Sequence, residues 1–130
     1  MKLRYSSLAA ALILAAGFSS GACAAGSAKV ISAQEARARM DADKSAIVLD
    51  VRTPEEYAEK HIPGSVLIPL DTIERDAPKA LPDKKRTILV YCRSGRRSAI
   101  AAKTLADMGY LSVFDFGGIN RWPYETVSGK

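Results

Sequence analysis

Histidine and cysteine are nearly absent from this chain: one His and two Cys stand among 130 residues. One imidazole (His61) and distant thiols (Cys23, Cys92) cannot assemble a metal site, which needs several ligands converging on one ion. No Cys-x-x-Cys pair is present, so a thiol redox cycle has no resolving partner. Long apolar runs are missing too. The longest, Leu8–Phe18, has about 11 residues, well short of the roughly 20 that a spanning helix needs. There is no internal repeat, and no basic stripe with interleaved aromatics of the kind that binds nucleic acid.

What is present begins with that run. Lys2 and Arg4 precede it without an acid, and the small-residue stretch Ser19–Ser27 follows it. Positive, then apolar, then small is the pattern of a secretory signal peptide; a buried amphipathic helix would show a polar face, and this run shows none. Ala22-Cys23-Ala24 fits the Ala-x-Ala cleavage form and would place the new N-terminus at Ala25. The expectation is therefore a signal over residues 1–24, one domain over 25–130, and a soluble mature form in the periplasm or outside the cell. A second reading makes Cys23 the lipid-modified first residue of a lipoprotein, although Ser20 stands where that reading wants a large aliphatic residue. Of 19 basic residues, loss of Lys2 and Arg4 leaves 17 against 14 acidic. So mild a charge points to small anions as partners rather than polymers. It also leaves Cys92 as the one thiol of the mature chain, in a compartment where cysteines are usually paired or absent.

From Lys29 onward, short β-rich runs alternate with helical segments. Lys29–Ile31, Ile47–Leu49, Val66–Ile68, Thr87–Tyr91 and Ser112–Phe116 read as strands of a largely parallel sheet covered on both faces. Ser32 with Glu35, Thr53-Pro54 with Glu56, and Asp71 with Glu74 mark expected helix starts. Arg97–Met108, rich in Ala and Leu, ends at Gly109.

The segment Tyr91-Cys92-Arg93-Ser94-Gly95-Arg96-Arg97-Ser98 joins the apolar run Thr87–Tyr91 to that last helix. In open α/β sheets ligands bind outside the carboxyl ends of strands, where this loop must lie. The following helix aims its N-terminal N–H groups and partial positive charge at the same place, and Gly95 allows a tight turn. Three arginines within five residues of Cys92 favour the thiolate, which is the nucleophilic form. They would also hold an anionic substrate. An inert strand-end thiol needs none of this.

The loop resembles the sulfurtransferase pattern Cys-Arg-x-Gly-x-Arg of the rhodanese family, through Cys92, Arg93, Gly95 and Arg97. Leu49–Tyr57 (LDVRTPEEY) is similar to that family's amino-terminal signature, and His61–Ser65 to its His-Ile-Pro-Gly-Ala element with Ser for Ala. Asp115–Ile119 and Trp122 resemble its Gly-Gly…Trp element. The resemblance implies a rhodanese-like α/β fold, a five-stranded, mostly parallel sheet with helices on both faces. It implies a ping-pong reaction without cofactor or metal: Cys92 takes sulfur from a small anionic donor such as thiosulfate and passes it to a thiophilic acceptor, cyanide or a thiol. In that reading the amides from Arg93 to Ser98, including Ser94 and Gly95, cradle the persulfide. Arg93 and Arg97 orient the donor, and Arg96 adds positive potential.

Other readings compete. A cysteine phosphatase or arsenate reductase needs Cys-x5-Arg, and Ser98 stands where that arginine belongs. A persulfide carrier serving an acceptor protein would use the same loop. His61, set before Pro63-Gly64, reads as a turn residue rather than a general base. Asp50 and Arg52 read as an ion pair framing the loop. Phe116, Trp122 and Tyr124 read as packing, with a pocket wall the alternative.

Overall fold

The computed structural model describes residues 26–130. The expected signal segment, residues 1–24, lies outside the described residues. Five strands form one sheet: β1 (Ser27–Val30), β2 (Ile47–Asp50), β3 (Val66–Leu67), β4 (Thr87–Cys92) and β5 (Ser112–Gly118). Their order is β1-β5-β4-β2-β3, and every described ladder in the sheet is parallel. Parallel neighbours need long crossovers, supplied by helices α1 (Ala33–Ala42), α2 (Pro54–Glu59), α3 (Ile73–Ala80) and α4 (Arg96–Asp107). Among the described residues no helix is long and apolar enough to cross a membrane.

The central strand β4 explains its own sequence. Ile88, Val90 and Cys92 pack with Ile73 and Ala77 of α3 and Ala101 and Leu105 of α4, while Leu89 and Tyr91 pack with Ala36, Phe116 and Trp122. Both faces of β4 are covered, so it reads as a continuous apolar run. Burying each such aliphatic side chain stabilises the fold by about 1.5–3 kcal/mol. The alternation also fixes chemistry, because a one-residue slip would turn Cys92 away from the α4 face.

Two of the three expected helix starts are capped. Ser32 Oγ accepts from the Glu35 N–H at 3.0 Å, but the Glu35 carboxylate turns to Arg39. Thr53 makes the whole capping box: its Oγ1 accepts from Glu56 N–H at 3.2 Å, and its own N–H donates to Glu56 Oε1 at 3.1 Å. The third start is a correction. Leu70–Thr72 forms a 3-10 turn, and α3 begins at Ile73 with no side-chain cap. The Pro69 carbonyl accepts both the N–H and the hydroxyl of Thr72, so Asp71 sits inside a tight turn rather than ahead of a helix. Gly109, at φ 100°, ends the segment after α4 as expected.

Candidate active site

β4 ends at Cys92, and the chain turns through Arg93–Gly95 straight into α4. Gly95 has φ 110°, a left-handed conformation that glycine adopts without strain. That turn brings the Gly95 N–H to 2.9 Å from Cys92 Sγ. The sulfur thus sits at the N-terminal end of a 12-residue helix, where backbone dipoles favour negative charge. Cys92 has no exposed surface, so a donor reaches it only as the loop or its exposed side chains give way.

The loop residues divide into three kinds. Arg93, Ser94 and Arg96 are exposed; Gly95 and Arg97 are half-buried; Ser98 is fully buried. Arg97 has a partner of its own. Its two terminal nitrogens donate to the two carboxylate oxygens of Glu56 at 2.7 and 2.9 Å, and those hydrogen bonds hold the Glu56 carboxyl well below its usual range, at about 2. Thr53 steadies the same carboxylate from the capping box. The α2 start is therefore tied to the α4 start across the mouth of the loop. Among the described residues, Arg93 and Arg96 make no side-chain hydrogen bond or ion pair.

Behind the loop lies a buried frame. Arg52 donates to both oxygens of Asp50, at 2.9 and 2.6 Å, and to the Lys60 carbonyl at 2.8 Å. This is the ion pair read from the sequence, almost wholly buried. The Tyr91 hydroxyl accepts from the Ile62 N–H at 3.1 Å and lies 3.2 Å from Ser65 Oγ, which docks the His61–Ser65 turn against β4. Burial pushes that hydroxyl well above its ordinary titration range. His61 stacks on Tyr57 with 3.7 Å between ring centroids, and its backbone pairs with Val127. It holds a turn.

One side chain next to the sulfur was not singled out from the sequence. Asp115 accepts from Ser98 Oγ at 2.7 Å and from the Gly117 N–H at 2.9 Å. Ser98 Oγ in turn accepts a hydrogen bond from the Cys92 thiol, with 3.5 Å between the two atoms. β5 carries an irregularity here: Val90 pairs with Asp115 and Cys92 with Gly118, so β5 spends one residue more than β4. Such bulges recur beside active sites because they re-aim side chains. The available signal was strand parity, since Val113 packs on the α4 face and Asp115 follows it by two.

Two clefts flank the loop. One, of about 580 Å³, is lined by Ser94, Gly95, Asp115, Gly117 and Arg121. The other, of about 220 Å³, is lined by Arg52, Glu56, Lys60, Arg93 and Asn120. The family model for a rhodanese-like domain matches residues 32–124. The chain belongs to the rhodanese-like family. Among curated relatives, this rhodanese-like chain is 40% identical over 81 residues to thiosulfate sulfurtransferase PspE of Escherichia coli, covering 62% of this chain and 78% of that one. It is 38% identical over 97 residues to the putative sulfur carrier protein YrkF of Bacillus subtilis, covering 74% of this chain and 51% of the relative. It thus spans about half of that second protein. The solved structure of a rhodanese with anions from E. coli superposes with a TM-score of 0.62 at 38% identity, over 65% of this chain and 99% of that one. Its relatives make this rhodanese-like domain one of the sulfurtransferase homologues. The site contributes a sealed thiol under a glycine turn, two exposed arginines at the rim and a buried carboxylate behind.

Proposed function

We propose that the domain moves a sulfane sulfur from thiosulfate or a similar small anion to a thiophilic acceptor through a persulfide on Cys92. The observation that carries this reading is the Gly95 N–H at 2.9 Å from Sγ, at the positive end of α4. A donor's outer sulfur is attacked by the Cys92 thiolate; the new S–S bond forms as the old one breaks, and sulfite leaves with the electron pair. An acceptor, cyanide or a thiol, then takes the outer sulfur and returns the thiolate. Covalent transfer in two steps suits a nucleophile held in place by fixed dipoles. With Arg97 committed to Glu56, the exposed Arg93 and Arg96 are the loop's own cations free to meet a donor's sulfonate, and Arg97 acts through the tie it makes. The name of PspE supports thiosulfate as donor.

A second reading rests on the name of YrkF: the same persulfide is handed to one acceptor protein. Saturation kinetics with small acceptors favour the enzyme, and transfer to a particular protein alone favours the carrier. The segment 1–24 is read as an export signal, which places the domain in the periplasm or outside the cell.

The deciding experiment is the intact mass of the purified protein after thiosulfate treatment. One added sulfur, removed by cyanide and lost in Cys92→Ser with melting unchanged, is the expected result. Sulfur loading that persists in Cys92→Ser would end the proposal.

A further inference from the structure

We infer that Ser98 and Asp115 form a proton relay for Cys92: Ser98 takes the thiol proton and passes its own to the Asp115 carboxylate as the sulfur attacks. The inference rests on the persulfide reading above and supplies the base which that reading lacks.

The geometry sets the direction of each hydrogen bond. A serine hydroxyl has one proton, and its shortest contact is the 2.7 Å bond to Asp115 Oδ1. A charge-assisted bond of that length holds the proton. The Ser98 oxygen therefore turns a lone pair to the Cys92 thiol 3.5 Å away, while the Gly95 N–H donates to the sulfur from another side. In the attack the Cys92 S–H bond breaks as an O–H bond forms on Ser98. The former Ser98 O–H bond breaks as one forms on Asp115. The sulfur's freed pair makes the bond to the donor's outer sulfur, and sulfite leaves with the pair of the broken S–S bond. When an acceptor removes the outer sulfur, the regenerated thiolate recovers the proton by the reverse path. No redox partner is needed.

Several elements around Asp115 carry charged or titratable groups. Ser98 faces it from α4, and Cys92 of β4 lies on the far side of that hydroxyl. α4 also carries Arg96 and Arg97, the latter held by Glu56. β1 carries exposed Lys29, α1 carries Glu35 and Arg39 paired with each other, and Arg121 shares the flanking cleft. Among the described residues no salt bridge reaches Asp115, whereas Asp50 and Glu56 are each locked to an arginine.

The test is the pH profile of single-turnover sulfur loading in the full chain, for wild type, Asp115→Asn and Ser98→Ala. Asparagine keeps the acceptor oxygen for Ser98 and Gly117 but cannot take a proton. The gap between variants and wild type is expected to be smallest at alkaline pH, where hydroxide removes the thiol proton. At mildly acidic pH they should fall behind by roughly 100-fold, the scale of general-base assistance. A constant ratio across pH would make Asp115 a scaffold and overturn the inference. A variant that gains on wild type as pH falls would also overturn it, since the carboxylate would then only oppose the thiolate. Should Asp115→Asn fail to fold, Ser98→Ala decides by the same criterion. Alkylation of Cys92 by iodoacetamide, followed by mass, should show the same widening gap. It needs no sulfur donor, so wild type that alkylates on this profile yet never gains sulfur would sink the persulfide reading and leave the relay standing.

Discussion

Single residues here do their work through what they are tied to. Arg52 has three partner oxygens and almost no exposure, so its charge is tolerable only while Asp50 is present. Removing one partner of a buried pair leaves the other charge without compensation, at a cost of about 3–5 kcal/mol. Asp50→Ala is expected to lower the melting temperature sharply, measured by thermal unfolding, with loss of activity following loss of fold. The Glu56–Arg97 pair behaves differently because it is partly exposed, with side-chain exposures of 21% and 32%. Arg97 draws the folded-state Glu56 carboxyl down from 4.5 to about 2. A depressed folded value means that the stabilisation is complete above 4.5 and is lost as pH falls toward about 2. Glu56→Gln should therefore destabilise the domain at neutral pH and converge on wild type as the medium is acidified through that window. Added salt should narrow the neutral-pH gap. A gap of constant size across the window would show that the ionised pair contributes nothing.

Elements carry the site by meeting at their ends, and the sharpest meeting is between β5 and the Cys92–Gly95 loop. A Cβ built on Gly118 would overlap the Arg93 carbonyl. Gly118 has an ordinary φ of −113°, so space and not backbone strain demands glycine there. That carbonyl also accepts from the Asn120 N–H. Gly118→Ala is expected to push the loop outward and slow sulfur loading, at an overpacking cost of about 1–3 kcal/mol. Sulfur loading and melting both equal to wild type would refute the close fit. Much of this was legible in the sequence, for local reasons: Ser32 and Thr53 cap by spacing alone, and β4 shows its double burial as an unbroken apolar run. Cys92 and Gly95 could be placed because strand, turn and helix follow one another within a few residues. Asp71 was misread because Pro69 draws the chain into a tight turn, which no capping pattern records. The Ser98–Asp115 bond was invisible because it joins α4 to a bulged strand 17 residues away. The Glu56 grip on Arg97 spans 41 residues and depends on two helix starts meeting over the sheet.

At the scale of the whole molecule, the question is where the folded unit starts relative to the expected cut. The Gly26 N–H donates to the Ala106 carbonyl at 3.1 Å, and β1 begins one residue later. A Cβ on Gly26 would overlap the Tyr110 carbonyl, so the chain enters the sheet through a gap that glycine alone fits. Cleavage between Ala24 and Ala25 would leave one residue ahead of that point and every described hydrogen bond intact. β1 itself is exposed along its length and is held by its ladder to β5, which runs from Ser27 opposite Ser112 to Val30 opposite Asp115. Each such hydrogen bond contributes about 0.5–1.5 kcal/mol net. A chain of residues 25–130 should therefore melt with the full-length protein and take up the same sulfur. A chain starting at Ile31 should melt lower by a few of those increments and lose sulfur loading in proportion, since the ladder ends beside Asp115. The exported protein should show the mass of a chain beginning at Ala25. A product retaining Cys23 with attached lipid, and partitioning into detergent, would replace cleavage after Ala24 with anchoring, and an unshortened chain would remove the export reading.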